Sequence, residues 1–496
     1  MRPSKVRIAT SIQPGYVLAA IALVAAALAL YAAPTATARP LVTGIANPEF
    51  AESGGDAVLF NRVRAAGARF IHLEVFWDDV APANQPATWD PTDPADPHYD
   101  WGKLDRRVVE AVNSGLTPHL TIRGAPRWAQ GCDPVPPHFA PCDPDPGKLA
   151  DFATAVARRF SGHFGGLPRV RYWEALNEPN LDFFFRPQFS GSKPISPLLY
   201  RAIVNRFYAA VKAVDQSNVV IAAGLAPFGY PGFNVWPLTF TRKLLCMRGR
   251  RHPQPTRHGC AGGVHFDVFS IHPYTEGGPT HHALHPDNVS LGDLPELQRL
   301  LRAADRAGRI RGAFRHTPLW VTEFGWDSRP PDPGGLPLRL EARWAAEALY
   351  RSWKAGVSHF YWYLLRDQPR DGLSFAQTVQ QGLYLRGKTV AGDRPKRILI
   401  QAFRFPFVAL DRPHGFLFWG RTPNSGGGSV RLEVWNGRRW LRSATVRANG
   451  SGIFSGVLKT GYGARGRGLV RAVYRSGRSV PFSLRYVKDF DHSIYG

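Results

Sequence analysis

Two glutamates stand where chemistry is expected. Glu178 closes the run Tyr172-Trp173-Glu174-Ala175-Leu176-Asn177 and precedes Pro179-Asn180, and Glu323 closes Leu319-Trp320-Val321-Thr322 and precedes Phe324-Gly325-Trp326. Each sits where a short apolar run stops, the point at which a parallel sheet delivers side chains to a cleft. Two carboxylates across one cleft can divide the work that glycoside hydrolysis needs: one protonates the leaving oxygen while the other attacks the anomeric carbon or activates water. Retention of configuration asks for carboxyl groups about 5 to 5.5 Å apart. Taken alone, a Glu at a strand end is more simply a surface or salt-bridged carboxylate, so the surrounding elements decide.

Those elements are legible between about Leu41 and Leu410, where short apolar runs alternate with helical patterns, the signature of repeated βα units. Eight runs are expected to be strands: Leu41–Ile45, Phe70–Val75, Thr117–Ile122, Val170–Leu176, Val219–Gly224, Phe266–Ile271, Leu319–Thr322 and His359–Tyr363. Asp105–Ser114 and Lys148–Phe160 are expected helices, the latter opening after Asp145-Pro146-Gly147. Eight such units predict an α/β fold, a (β/α)8 TIM barrel over residues 39–410, longer than the usual ~250 residues and therefore carrying loop insertions. Strands four and seven face one another across such a barrel, which would bring Glu178 and Glu323 together. From residue 411 the texture changes to short strand patterns, Val430–Trp435, Trp440–Val446, Gly452–Leu458, Leu469–Tyr474 and Val480–Tyr486, separated by Asn-Gly and Ser-Gly turns. Residues 411–496 are thus expected to form a small all-β, sandwich-like C-terminal domain, joined at Asp411–Gly415, with Ser425-Gly426-Gly427-Gly428 as a hairpin loop.

The flanking residues carry a resemblance. Asn177-Glu178-Pro179, with Trp-Glu-Ala-Leu before it, resembles the fourth-strand motif of clan A glycoside hydrolases, and Thr322-Glu323-Phe324-Gly325-Trp326 resembles the seventh-strand motif of the same clan. The order and spacing also match, and the likeness, closest to families 5 and 39, covers roughly 41 to 410. It implies Glu178 as acid/base, Glu323 as nucleophile and Asn177 as partner of the sugar 2-hydroxyl. It further implies that His272 and Tyr274, in His272-Pro273-Tyr274, contact nucleophile or substrate, with Tyr274 holding Glu323 ionised, and that Trp362 is the platform under the reacting sugar. Trp77, Trp128 and Trp326 lie in segments that place aromatics near the cleft, although a packing role suits Trp77 and Trp128 equally. One departure stands out: where the clan carries an Arg on the second strand this chain has His72, unless Arg69 or Arg123 reaches in. The resemblance implies no metal and no cofactor.

Weaker signals are treated as structural. Phe183-Phe184-Phe185 contributes to a leaving-group subsite or packs against a neighbouring loop. His281-His282-Ala283-Leu284-His285 is read as a polar cleft rim rather than a metal site. Residues 1–38 read as an export signal, with Arg2, Lys5 and Arg7 before an apolar run from Tyr16 to Ala33 and then Ala36-Thr37-Ala38. An uncleaved anchor is the alternative; if the signal is cleaved, no stable membrane span remains. In an exported chain the four Cys are expected to pair as Cys132–Cys142 and Cys246–Cys260, with a zinc site using His252, His258 and His265 as the lesser option. The formal charge is +24, and residues 412–496 hold 15 Lys and Arg against 3 Asp and Glu. Export and the scatter of the basic residues argue against nucleic acid, leaving an anionic wall polymer or a solvated surface. The expected protein is a secreted retaining glycoside hydrolase acting on a β-linked carbohydrate. The rivals are a surface barrel that binds sugar without turnover, which His72 keeps open, and a transglycosylase using the same two glutamates.

Overall fold

A computed structural model describes residues 39–47, 56–132, 141–256, 262–459 and 468–485. The expected export signal at residues 1–38, Cys260, His258 and the last residues of the chain therefore lie outside the described residues. Eight parallel strands close a barrel: β1 (Val42–Ala46), β2 (Phe70–Phe76), β3 (Thr117–Arg123), β4 (Tyr172–Ala175), β5 (Val219–Leu225), β6 (Val268–Ile271), β7 (Leu319–Val321) and β8 (Val357–Tyr363). Closure is made by β8 against β1, with Val42 opposite His359 and Ala46 opposite Tyr363. Helices α1 (Asp56–Ala65), α2 (Gly102–Asn113), α3 (Pro146–Arg159), α4 (Ser196–Val214), α5 (Pro237–Leu244), α6 (Leu294–Arg306), α7 (Leu338–Ala355) and α8 (Arg397–Arg404) follow the strands in turn. Local chemistry sets their ends. Asp145 caps α3 by accepting from the N–H groups of Gly147 and Lys148 at 2.8 and 2.9 Å, with Pro146 in the first turn. Gly356, at φ +101°, ends α7 in a left-handed turn that a side chain would strain.

The barrel interior is layered by strand alternation. Phe70 meets Tyr172 and Trp320 edge-on, with centroids 5.0 and 5.9 Å apart, and Trp320 stacks on His359 at 3.8 Å. Two residues further along β2, on the same face, His72 opens a polar layer of His72, His119, Thr121, Glu174 and Ser270, all buried. A buried carboxylate survives only if it is fully partnered. Glu174 takes hydrogen bonds from Thr121 Oγ1 at 2.9 Å and from Ser270 Oγ, and His119 Nε2 lies 3.2 Å away. Burial alone would raise the Glu174 pKa, but these partners and the nearby His72 pull it down to about 2. Because Thr121 spends its hydroxyl proton on Glu174, it accepts from His72 Nε2 at 2.6 Å, and burial together with the His119 imidazole keeps His72 neutral.

The C-terminal region forms β9 (Phe407–Arg412), β10 (Gly415–Arg421), β11 (Gly428–Trp435), β12 (Trp440–Ala448), β13 (Ile453–Lys459) and β14 (Leu469–Tyr474). One sheet is β9-β10-β13 and the other β12-β11-β14, extended by short pairings at Gly477–Arg478 and Phe482–Ser483. Asp411–Gly415, read as a junction, forms the end of the β9–β10 hairpin, where Arg412 pairs with Gly415. The hairpin was missed because its inward residues dock on the barrel rather than marking a new domain. Trp419 packs against Tyr350 and Trp353 of α7 at 5.6 and 5.8 Å, and the buried Arg421 donates to the Leu41 carbonyl at 3.3 Å. Trp435 and Trp440 are cross-strand partners with centroids 5.4 Å apart, and Arg471 lies over Trp440 at 4.1 Å. Cys132 and Cys142 are disulfide-bonded as expected. No helix among the described residues is long and apolar enough to cross a membrane.

Candidate active site

At the C-terminal mouth of the barrel a cavity of about 650 Å3 is lined by Asn177, Glu178, Tyr274 and Glu323 from β4, β6 and β7. The chain turns sharply to present Glu178: Leu176 and Glu178 have φ of +61° and +43°, conformations that L-residues adopt only when their surroundings hold them. Asn180 does the holding. Its amide donates to the carbonyls of Ala226, Phe228 and Val235 at 3.1 to 3.3 Å, and its oxygen accepts from Ala226 N–H at 2.9 Å. Gly224 accepts from Glu178 N–H at 3.1 Å, and its own φ of +47° would strain any side chain, whose Cβ would stand 3.1 Å from Glu174 Oε1.

His272 is buried beneath the two acids. Its Nδ1 lies 2.8 Å from Glu178 Oε1 and 3.7 Å from Glu323 Oε2, while Nε2 lies 3.1 Å from Thr322 Oγ1. One oxygen of each glutamate and a His272 nitrogen all fall within 4.8 Å of one another. Tyr274 donates its hydroxyl to Glu323 Oε2 at 3.2 Å; burial, then the Glu323 charge, push the Tyr274 pKa far up, so the proton stays on the phenol. Burial raises the Glu323 pKa; His272 opposes this, the charges of Glu178 and Glu74 add to it, and the Tyr274 hydrogen bond also opposes it. Burial would lower the His272 pKa, but the charge of Glu323 and the hydrogen bond to Glu178 overcome it and raise the pKa above that of a free imidazole. Glu178, Glu323 and His272 form one polar cluster at the mouth of the barrel.

This trio, and His72 with His119 and Glu174, are the two groups among the described residues whose ligand atoms are close enough to hold a metal. In the deeper group the Thr121 and Ser270 hydroxyls and the His119 ring occupy the carboxylate. In the upper group His272 Nδ1 faces Glu178 and Nε2 faces Thr322, so the ring is hydrogen-bonded on both sides.

Several expected ligands lie elsewhere. His72 points into the polar layer and hydrogen-bonds Thr121. Trp362 is fully buried, gives its N–H to the Gln381 carbonyl at 2.7 Å and packs on Phe324 and Phe403. Trp326 is equally buried, with its N–H on Gly277 O at 3.0 Å. Trp128 gives its N–H to Pro82 O at 2.9 Å and packs on Trp77 and Trp89, an anchor for the loops after β2 and β3. None of the four lines the cavity. The groups that do line it, and were not expected, include Glu74, Phe76, Tyr363, Gln368 and Gln381. Arg123 also reaches in from β3: it pairs with Glu74, lies over Phe76 and Phe184 at 5.0 Å, and feels the charge of Glu323. The His-rich segment is structural, with His282 on Asp293 at 2.6 Å and His285 stacked on Trp236 at 4.5 Å.

The same architecture is found among solved glycosidases. A family 39 glycoside hydrolase from the gut symbiont Bacteroides cellulosilyticus WH2 superimposes with a TM-score of 0.50 at 18% identity, over 85% of this chain and 79% of that one. This chain has the fold of that family 39 enzyme. A family 39 enzyme from Xanthomonas axonopodis pv. citri (15% identity, 86% and 93% covered, TM-score 0.49) and a monomeric β-xylosidase from Caulobacter crescentus CB15 (16%, 86% and 95%, 0.49) are also similar. No protein-family model matches the sequence, and no curated protein matches it. In the family 39 fold seen here, Glu178 and Glu323 occupy the mouth of the barrel on facing strands.

Proposed function

We propose that the protein is a retaining β-glycosidase with Glu323 as nucleophile and Glu178 as acid/base. The observation that carries this reading is the pair of carboxylates at the ends of β4 and β7, with one oxygen of each within 4.8 Å of the other and His272 close to both, a closeness that favours double displacement over inversion. In the first step a Glu323 oxygen bonds to the anomeric carbon as the bond to the leaving oxygen breaks, and Glu178 gives that oxygen its proton. In the second, Glu178 takes a proton from water, the water oxygen bonds to the same carbon, and the bond to Glu323 breaks. His272 and Tyr274 favour ionised Glu323 against its burial. Asn177, beside Glu178 in the cavity, would hold the 2-hydroxyl. The leader at residues 1–38 supports action outside the cytoplasm, and the basic surface supports retention on an anionic polymer.

The test is turnover of aryl β-glycosides, from xylosides to glucosides, beside Glu178→Ala and Glu323→Ala. Loss in both variants, with the product anomer retained, is expected. Sugar binding without turnover would favour the non-catalytic barrel instead. Transfer of the glycosyl group to an added sugar in preference to water would make it a transglycosylase.

A further inference from the structure

The two sides of the cavity differ in chemistry. Asn47, Glu74, Arg123, Gln368 and Gln381 reach it from β1, β2, β3 and the segment after β8, and all carry groups that can pair with hydroxyls. Beside Glu178 the wall is Leu181, Phe183, Phe184 and Phe228, none of which has a side-chain donor or acceptor. The rings of Phe183 and Phe184 meet at 4.9 Å, and Phe183 is 49% exposed. Outward, Phe228 contacts Tyr230 at 5.5 Å, and Tyr230 and Phe233 are 57% and 70% exposed. Asp182 and Asn234, the polar residues on this side, stitch the two loops together: Asn234 Oδ1 accepts from Asp182 N–H at 2.8 Å, and the Asp182 carboxylate lies 3.5 Å from Arg186. Exposed apolar clusters of this kind, continuous with a cleft, mark binding surfaces.

If Glu178 is the acid, the group released lies on the Glu178 side, because the proton goes to its oxygen. Resting on the glycosidase reading above, we propose that the leaving-group subsite takes an apolar aglycone, so that the natural substrates are β-glycosides of hydrophobic alcohols rather than oligosaccharides. A second sugar held there would find only the Asp182 and Asn234 side chains to replace the water its hydroxyls give up. An alkyl or aryl group would instead bury its surface against the phenylalanines, worth up to about fourfold in affinity for each methylene fully buried.

The experiment uses n-alkyl β-D-glucosides and β-D-xylosides from methyl to hexyl, below micelle-forming concentrations, beside cellobiose and xylobiose. The leaving alcohols differ little in acidity, so chain length reports the wall. The expected result is a kcat/KM that rises roughly two- to fourfold per carbon to about butyl, exceeds that of the disaccharide, and climbs less steeply in Phe184→Ala and Phe228→Ala. A flat series, or a preferred disaccharide, in an enzyme that turns over the methyl glycoside would overturn the proposal. Absence of all turnover would sink the glycosidase reading separately, and calorimetric titration of the same series would then decide the wall. Binding that tightens with chain length sustains it; binding that is absent or independent of chain length removes it.

Discussion

At Glu323 several neighbours contest one proton. Burial and the charges of Glu178 and Glu74 favour the acid; His272 and the Tyr274 hydroxyl favour the carboxylate. The acid limb of kcat/KM, which reports ionisation of the nucleophile, is therefore expected above the ~4.3 of an ordinary glutamate. Removing the Tyr274 donor takes away an influence that lowers this pKa, so Tyr274→Phe should move the limb upward by about one unit and reduce kcat about tenfold. A downward or absent shift in the measured pH profile would show that the phenol does not act on Glu323. The acids, Asn177 and Tyr274 were legible because each sits in a short motif at a strand end. The aromatic lining was not: Trp362 and Tyr363 are adjacent, strand alternation sends them to opposite faces, and Trp362 is buried against Phe403 of α8 while Tyr363 lines the cavity. The pairing of Glu74 with Arg123 joins two strands whose register no local pattern reveals.

At the scale of elements, the site depends on how the loops after β4, β5 and β8 are tied. Asn180 satisfies carbonyls on the loop after β5, and Asn180→Ala leaves them without a donor; a loss of about 1–3 kcal/mol is expected by denaturant titration, with reduced turnover from the loosened Glu178 turn. The segment after β8 is held from below. Lys396 bonds Asp367 at 2.7 Å and the Gln380 carbonyl at 2.9 Å, and Asp327 accepts from Gln380 N–H at 2.9 Å. Glu341 of α7 is buried nearby with neither oxygen hydrogen-bonded, and its pKa is pushed well up by burial despite Lys396. A carboxyl whose pKa is raised by folding binds protons more tightly when folded, so its contribution to stability is intact below the unfolded value of about 4.3 and falls as pH rises towards the folded one. Glu341→Gln should therefore raise Tm more at pH 8 than at pH 5. An equal change at both pH values would show that Glu341 is not the titrating group. None of this was visible in the sequence, where Asp327, Glu341, Asp367 and Lys396 carry no common motif.

For the whole molecule, alternation of strand and helix revealed the barrel with all eight strands near their observed bounds, because each βα unit encodes its own period. How the C-terminal sheets dock was not legible, since contacts such as Arg69 to the Asn424 carbonyl at 3.0 Å or Arg421 to Leu41 join residues more than 350 positions apart. These contacts make the last strands part of the support of the barrel. A chain ending at Pro406 would bare Tyr350 and Trp353 of α7 to water, and its Tm should fall by several degrees with a tendency to aggregate. An unchanged Tm would show that the sheets are an independent appendage. A cut at residue 411 is a worse probe, because it divides the β9–β10 hairpin and leaves an open strand edge.

The central claim is a covalent sugar on Glu323. The most direct measurement is intact mass followed by peptide mapping after incubation with activated 2-deoxy-2-fluoro-β-xylosides and β-glucosides, which slow release of the intermediate. The account predicts one added fluoroglycosyl group on the peptide containing Glu323, absent from Glu323→Ala. An adduct on another residue, or hydrolysis of the parent glycoside with inverted configuration, would contradict it.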